Sequence, residues 1–228
     1  MKKIQYTALA AAFGLLMAGQ VAAEAPSAEL KVAGTIEVPG CDVAIASEDG
    51  ANSSEYHFGD IEPSKIQPGH TLAKLNPLTK TWTIHCTGRT HLTYQIEDHQ
   101  QESSLSPSTA TYFGLGKVNG EGKIGYYEVE MLNAKISSDG SDPVGARTFS
   151  VPKGNTTFTR ADSIFLNRNN VMGWSESAAN NLAAADTFIA DFKVTPTLGG
   201  TGKDHMNGTI TEDVGLDGSM TLTFAFGL

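Results

Sequence analysis

The chain has 228 residues, a formal charge of −9 and 18% charged side chains. An acidic chain of this kind is repelled by nucleic acid and by anionic lipid surfaces, so neither is expected as a partner. Solubility is the simplest use of the excess charge.

Residues 1–23 read as a secretory signal, with a cationic start at Lys2 and Lys3, an apolar stretch over 7–18 and the small-residue run Val21-Ala22-Ala23. The apolar stretch is shorter than the roughly 20 residues that span a bilayer, and Gly14, Gly19 and Gln20 interrupt its end. Cleavage after Ala23 would remove Lys2 and Lys3 and move the charge from −9 to −11. The remaining length of about 205 residues suits one large all-β domain, and no later segment is apolar enough to insert into a membrane.

The next stretch, 24–33, alternates, with Pro26, Ala28, Leu30 and Val32 on one side and Ser27, Glu29 and Lys31 on the other. Gly34 ends it. Ile36 and Val38 begin another apolar face, and Pro39-Gly40 predicts a bulge or bend before Cys41, Val43 and Ile45. The chain is therefore divided into a signal (1–23), a short separate extension (24–33) and a main domain (34–228). Cys41 and Cys86 are the two cysteines, both beyond the signal, and one disulfide is the natural expectation for an exported chain. A metal site or a thiol nucleophile would need partners that the sequence does not offer.

Trp82, Ile84 and Cys86 alternate with Thr81, Thr83, His85 and Thr87, which predicts a strand with one buried face. Leu92, Tyr94 and Ile96 repeat the pattern after a break at Gly88-Arg89. Residues 124–136 are rich in Tyr, Val, Met and Leu, between turns at Asn119-Gly120-Glu121-Gly122 and Asp139-Gly140. Residues 137–186 are less regular and read as an elaborated connection with about two additional strands. Within it, the alanine-rich 177–185 predicts a helical turn. Phe188, Ala190, Phe192 and Val194 alternate against Asp191 and Lys193, and Pro196 with Gly199-Gly200 is expected to end that strand. At the C-terminus Met220, Leu222, Phe224, Phe226 and Leu228 share one face of a strand without charge or proline. Such a strand is hazardous as an open edge and is expected to have a partner.

Nothing in the sequence arranges catalytic chemistry, and no enzyme activity, cofactor or metal is expected. His57, His70, His85, His91, His99 and His205 never take a close ligand spacing. Gly173-Trp174-Ser175-Glu176-Ser177 lacks the final glycine of a nucleophile elbow, and Ser150-Val151-Pro152-Lys153 carries a proline inside an S-x-x-K pattern. Trp174 has two readings, a surface platform for a sugar and a core tryptophan that anchors loops; the burial habit of aromatics favours the second.

Taken together, the alternating extension up to Gly34, Cys41 after the expected Gly34-Thr35-Ile36-Glu37-Val38 strand, Cys86 on the next strongly apolar strand, the Phe188 to Val194 strand and the C-terminal alternation resemble the pilin-type subunits of chaperone-usher fimbriae and their secreted relatives. The resemblance spans most of the mature chain. It implies an all-β, incomplete immunoglobulin-like sandwich completed by a donated strand. It assigns Cys41 and Cys86 to a disulfide between the first strands. Ala28, Leu30 and Val32 become pocket fillers donated to a neighbour, and Met220, Leu222, Phe224, Phe226 and Leu228 the face that a periplasmic chaperone binds. The implied partners are that chaperone, an outer-membrane usher and neighbouring fimbrial subunits. The implied route runs through the periplasm to the fimbrium at the cell surface. Three details depart from the pattern: the mature chain is longer than a typical pilin, Phe226 is third from the end rather than penultimate, and the extension is short. Two alternatives remain, an exported carbohydrate- or surface-binding module of adhesin type and a monomer that fills its own groove.

Overall fold

The computed structural model describes residues 31–35, 37–46 and 52–227. The chain divides into two compact units, Met1–Glu37 and Val38–Leu228. The described residues of the first unit form no strand or helix, and Val32 is exposed. The signal, Ala28 and Leu30 lie outside the described residues.

The second unit is all-β and antiparallel. Its strands are β1 (Cys41–Ala46), β2 (Ala73–Lys74), β3 (Leu78–Asp98), β4 (Phe113–Gly114), β5 (Lys117–Val118), β6 (Gly122–Lys123) and β7 (Gly125–Ser137). They continue with β8 (Val144–Gly145), β9 (Arg147–Pro152), β10 (Thr159–Ala161), β11 (Ser163–Phe165), β12 (Asn170–Ser175), β13 (Ala184–Leu198) and β14 (Met220–Phe226). The expected strand over 34–38 is not formed by its described members: Val38 is exposed, and pairing starts only past Pro39, which has no N–H to give.

The strand β3 organises everything else. It runs for 21 residues through Gly88-Arg89, where the sequence predicts a break and where its pairing with β13 shifts register between His85 and Thr90. Its first half pairs with β1 and β13, and its second half with β14 and β12. One sheet therefore extends from β1 through β3 and β13 to β7 and β11, and the other from β14 through β3 to β12, β9 and β10. Ile84, Cys86, Leu92, Tyr94 and Ile96 are all buried, so a single inner face persists while the strand passes from one sheet to the other. The result is a curled sheet folded over its own core, in the manner of a sandwich.

Three expectations change at this level. The region 137–186 supplies five strands, β8 to β12, and three of them, β9, β10 and β12, build most of the second sheet. The alanine-rich stretch is not helical. Ala183 N–H donates to Trp174 O and Glu176 N–H to Asn181 O, so the main chain is committed to β12 before a short, uncapped helix could form. The strand β13 does not stop at Pro196 but runs on to Leu198. Pro196 O accepts from Leu75 N–H, so the missing donor falls on the side where β3 has given way to residues 75–77.

Both expected glycine turns form. Asn119 and Gly120 (φ 49° and 79°) join β5 to β6, and Asp139 and Gly140 (φ 54° and 70°) lead from β7 to β8. Consecutive positive φ values turn the chain sharply, and Asn, Asp and Gly tolerate them best.

The core between the sheets is aromatic. Tyr94 packs edge-on against Trp174, Phe192 and Phe224, and its hydroxyl donates to Met131 Sδ at 3.0 Å. Burial raises the Tyr94 hydroxyl pKa far above its ordinary value. Each such ring contributes about 1.5–3 kcal/mol by leaving water.

The disulfide Cys41–Cys86 links β1 to β3 at directly opposed positions, with Cα atoms 4.0 Å apart. The strand β1 needs it, because only Cys41 and Ile45 of its six residues are even partly buried. Closing this loop is worth about 4 kcal/mol in the chain-entropy model. Replacing Cys41 and Cys86 together by Ser is expected to lower the unfolding free energy by about that amount, read as a drop in the urea midpoint that reductant reproduces in the natural chain and not in the variant.

Candidate functional site

The site is an apolar trough beside the last strand. Thr87 N–H donates to Gly40 O, and Gly227 N–H donates to His91 O. Residues four apart in a strand direct their main-chain groups to the same side, so β1 and β14 follow one another along a single edge of β3. Among the described residues neither has a strand on its other side.

The alternation of β14 fixes which groups are free. Ser219 O accepts from His99 N–H and Gly227 N–H reaches His91 O, so odd-numbered residues turn their main chain to β3. Met220, Leu222, Phe224 and Phe226 then turn theirs to the open edge. Side chains of the same residues face inward as far as Phe224, which meets Tyr94. Phe226 is 44% exposed, so the covered face lapses there, and Leu228 lies outside the described residues. Thr93 Oγ1 locks the end of the strand by donating to Gly227 O at 2.6 Å.

Beside Met220 and Leu222 lies a cavity of about 370 Å³, walled by Trp82, Leu115, Tyr127, Phe192 and Val194. The indole N–H of Trp82 is buried and has no hydrogen-bond partner among the described residues. A second cavity of about 700 Å³ continues from it past Ile61, Ile66, Met206, Ile210 and Leu216. Glu55, Tyr56, Phe58 and Leu216 line both, so the two form one trough.

The stretch 54–61 forms one wall and dips into the trough. Tyr56, Phe58 and Ile61 are partly buried against the core, and the Tyr56 hydroxyl donates to Phe192 O at 3.0 Å. Burial, only partly offset by the Trp82 indole nearby, pushes the Tyr56 pKa up to about 12. The hydroxyl therefore stays protonated and keeps donating.

A buried ion pair shapes the opposite wall. Arg168 donates to the carbonyls of Pro107, Thr109 and Tyr112 and lies 3.6 Å from Asp98. The Asp98 carboxylate, fully enclosed, also accepts from Gln100 and Gly114 N–H. Its pKa is raised, because burial outweighs these donors and the Arg168 charge. The pair fixes the loop before β4 and thereby Leu115 in the trough. An arginine in the polar run Asn167-Arg168-Asn169-Asn170 carries no sequence signal of burial.

The other sequence candidates fall into place as follows. Cys41 and Cys86 form the disulfide, and Met220, Leu222 and Phe224 line or border the trough. Trp174 is fully buried in β12, with Nε1 donating to Ile189 O at 2.9 Å. No face of its ring is left for a sugar, and its role is that of the core tryptophan. Among the described residues no three His, Cys, Asp or Glu side chains gather at a metal-sized site, and no helix is long and apolar enough to cross a membrane. No protein-family model matches the chain, and no curated protein matches it.

The far end of the trough depends on a histidine pair. His70 and His205 meet edge to face at 4.8 Å, and His205 Nδ1 accepts from Gly200 N–H, holding the turn that presents Met206. Burial first, and the His70 ring second, lower the His205 pKa, with Asp204 opposing. A depressed folded value means that this contribution to stability is complete above the ordinary histidine pKa of about 6.5 and is lost as pH falls through the folded value. The urea midpoint is expected to fall as pH drops from about 7 to 5, and His205→Gln should flatten that part of the profile while still offering Gly200 an acceptor.

Proposed function

We propose that this chain is a structural subunit of a chaperone-usher fimbrium: an incomplete immunoglobulin-like sandwich, exported by its signal, held by a periplasmic chaperone and assembled through an outer-membrane usher into a fibre that serves cell adhesion. The observation that carries the reading is the open edge of β14 above an apolar trough. A strand laid along β14 would gain main-chain hydrogen bonds from Met220, Leu222, Phe224 and Phe226 while its alternate side chains filled the space over Trp82, Phe192 and Val194. The seven residues of β14 offer about 23 Å of edge. In this reading residues 24–33, with Ala28, Leu30 and Val32 as fillers, are donated to a neighbouring subunit. The work is done by burial and hydrogen bonding, and no catalytic residue takes part.

A second reading is favoured by one observation. Tyr56, Phe58 and Ile61 already occupy part of the trough from within the same chain, as they would in a self-complemented monomer, whether or not it binds a surface. An adhesin of this kind has no contact residue in Trp174, which is buried.

The two readings part in a single experiment. The exported chain is produced with and without a fimbrial chaperone. The subunit reading expects capture by the chaperone, loss of capture in Leu222→Asp/Phe224→Asp, and, on deleting residues 24–33, a chaperone-held subunit that no longer donates to a neighbour. A chain that is a stable monomer without chaperone, or a truncated one that still polymerises, would falsify it.

A further inference from the structure

The trough is not electrically neutral, and its charge bears on what enters it. Glu55, Asp60, Glu212 and Asp213 line the larger cavity, and all four are exposed. Among the residues lining the two cavities there is no Lys or Arg, and the one basic ring, His57, sits 3.3 Å from Glu55. An apolar floor under a rim of carboxylates and beside a free strand edge is complementary to an extended, alternating segment that also carries cations. The chain's own extension is not such a segment, since residues 24–33 hold Glu24 and Glu29 against one Lys31, and two copies without the signal, at −11 each after loss of Lys2 and Lys3 from −9, repel one another.

We propose that the strand completing this trough comes from a different, basic polypeptide: an extended segment with apolar residues at alternate positions and Lys or Arg at its flanks, in preference to the extension of a second copy. The inference rests on the reading that the trough accepts a strand, and it names the partner's chemistry. It makes the chain a junction between unlike subunits rather than the repeating unit of a homopolymer. Alternate apolar side chains fill the space beside Met220 and Leu222, and the flanking cations meet the carboxylates of Glu55, Asp60, Glu212 and Asp213 around the larger cavity.

The test uses the oxidised full chain, refolded from guanidinium with one of three peptides: a decapeptide alternating Val and Thr with Lys at both ends, the same core with Glu at both ends, and the peptide of residues 24–33. The bound fraction is read by native mass spectrometry at low and at physiological salt, and the position by hydrogen exchange at β14. Each exposed ion pair is worth roughly a 1.5- to 5-fold gain. The Lys-flanked peptide is therefore expected to bind about tenfold tighter than either acidic one, to protect Leu222 and Phe224 amides, and to lose most of its advantage at higher salt. Glu212→Gln/Asp213→Asn, at exposed positions that leave the fold alone, should remove at least half of the preference on a logarithmic scale. Equal binding of all three peptides, or tighter binding of 24–33, would overturn the inference and leave the strand-accepting reading standing. Binding of none of them would overturn both.

Discussion

Everything in this fold follows from the demand placed on β3. A strand that serves two sheets must keep one face apolar across the transfer and must offer both of its edges twice. Its even-numbered residues meet the first demand from Ile84 to Ile96. The second is met on one edge by β13 and β12, which carry the bulk of the two sheets, and on the other by β1 and β14. These last two are short, and nothing further flanks them among the described residues. Among the described residues, the side of the molecule on which β3 is backed by only one more strand is therefore the side without a further ladder, although Asn52 Oδ1 accepts from Ile45 N–H on β1.

Such an edge is unsafe if it is merely left open, and the chain carries a partial answer in residues 54–61. Tyr56 is anchored through Phe192 O, so the segment holds to the floor of the trough by a specific bond as well as by burial. It lines the cavities without forming a strand, and among the described residues no second strand pairs with β14. Covering an apolar surface and pairing an edge are separate requirements, and residues 54–61 meet the first locally and in part without meeting the second.

How much of this could be read in the sequence depends on how local each cause is. The strand β14, the alternation in β13 and the turns at Asn119-Gly120 and Asp139-Gly140 are set by neighbouring residues, and each is legible. The continuity of β3 is hidden by Gly88, although the even-numbered pattern on either side keeps its phase through it. The strand β12 is hidden for a different reason. Gly173 looks like a breaker, yet a Cβ there would stand 2.6 Å from Leu92 O and 2.8 Å from Phe149, so the glycine is required by close packing at the middle of a sheet. Arg168 and Tyr56 act on partners that are 56 and 136 residues distant in sequence, and no periodicity reports such contacts. The strand edge of the candidate site is thus legible, while the wall that Tyr56 and Phe58 form and the support given by Arg168 are not.

The position of the disulfide has a mechanical consequence. Tension applied through the N-terminal side of Cys41 passes across the sulfur bridge to Cys86 in the middle of β3. The 44 residues between the two cysteines, which include β1 and the trough-lining segment 54–61, are then bypassed. Pulling on that end would neither peel β1 from its ladder nor draw Tyr56 out of the trough, and the force would be delivered to the one strand that both sheets share.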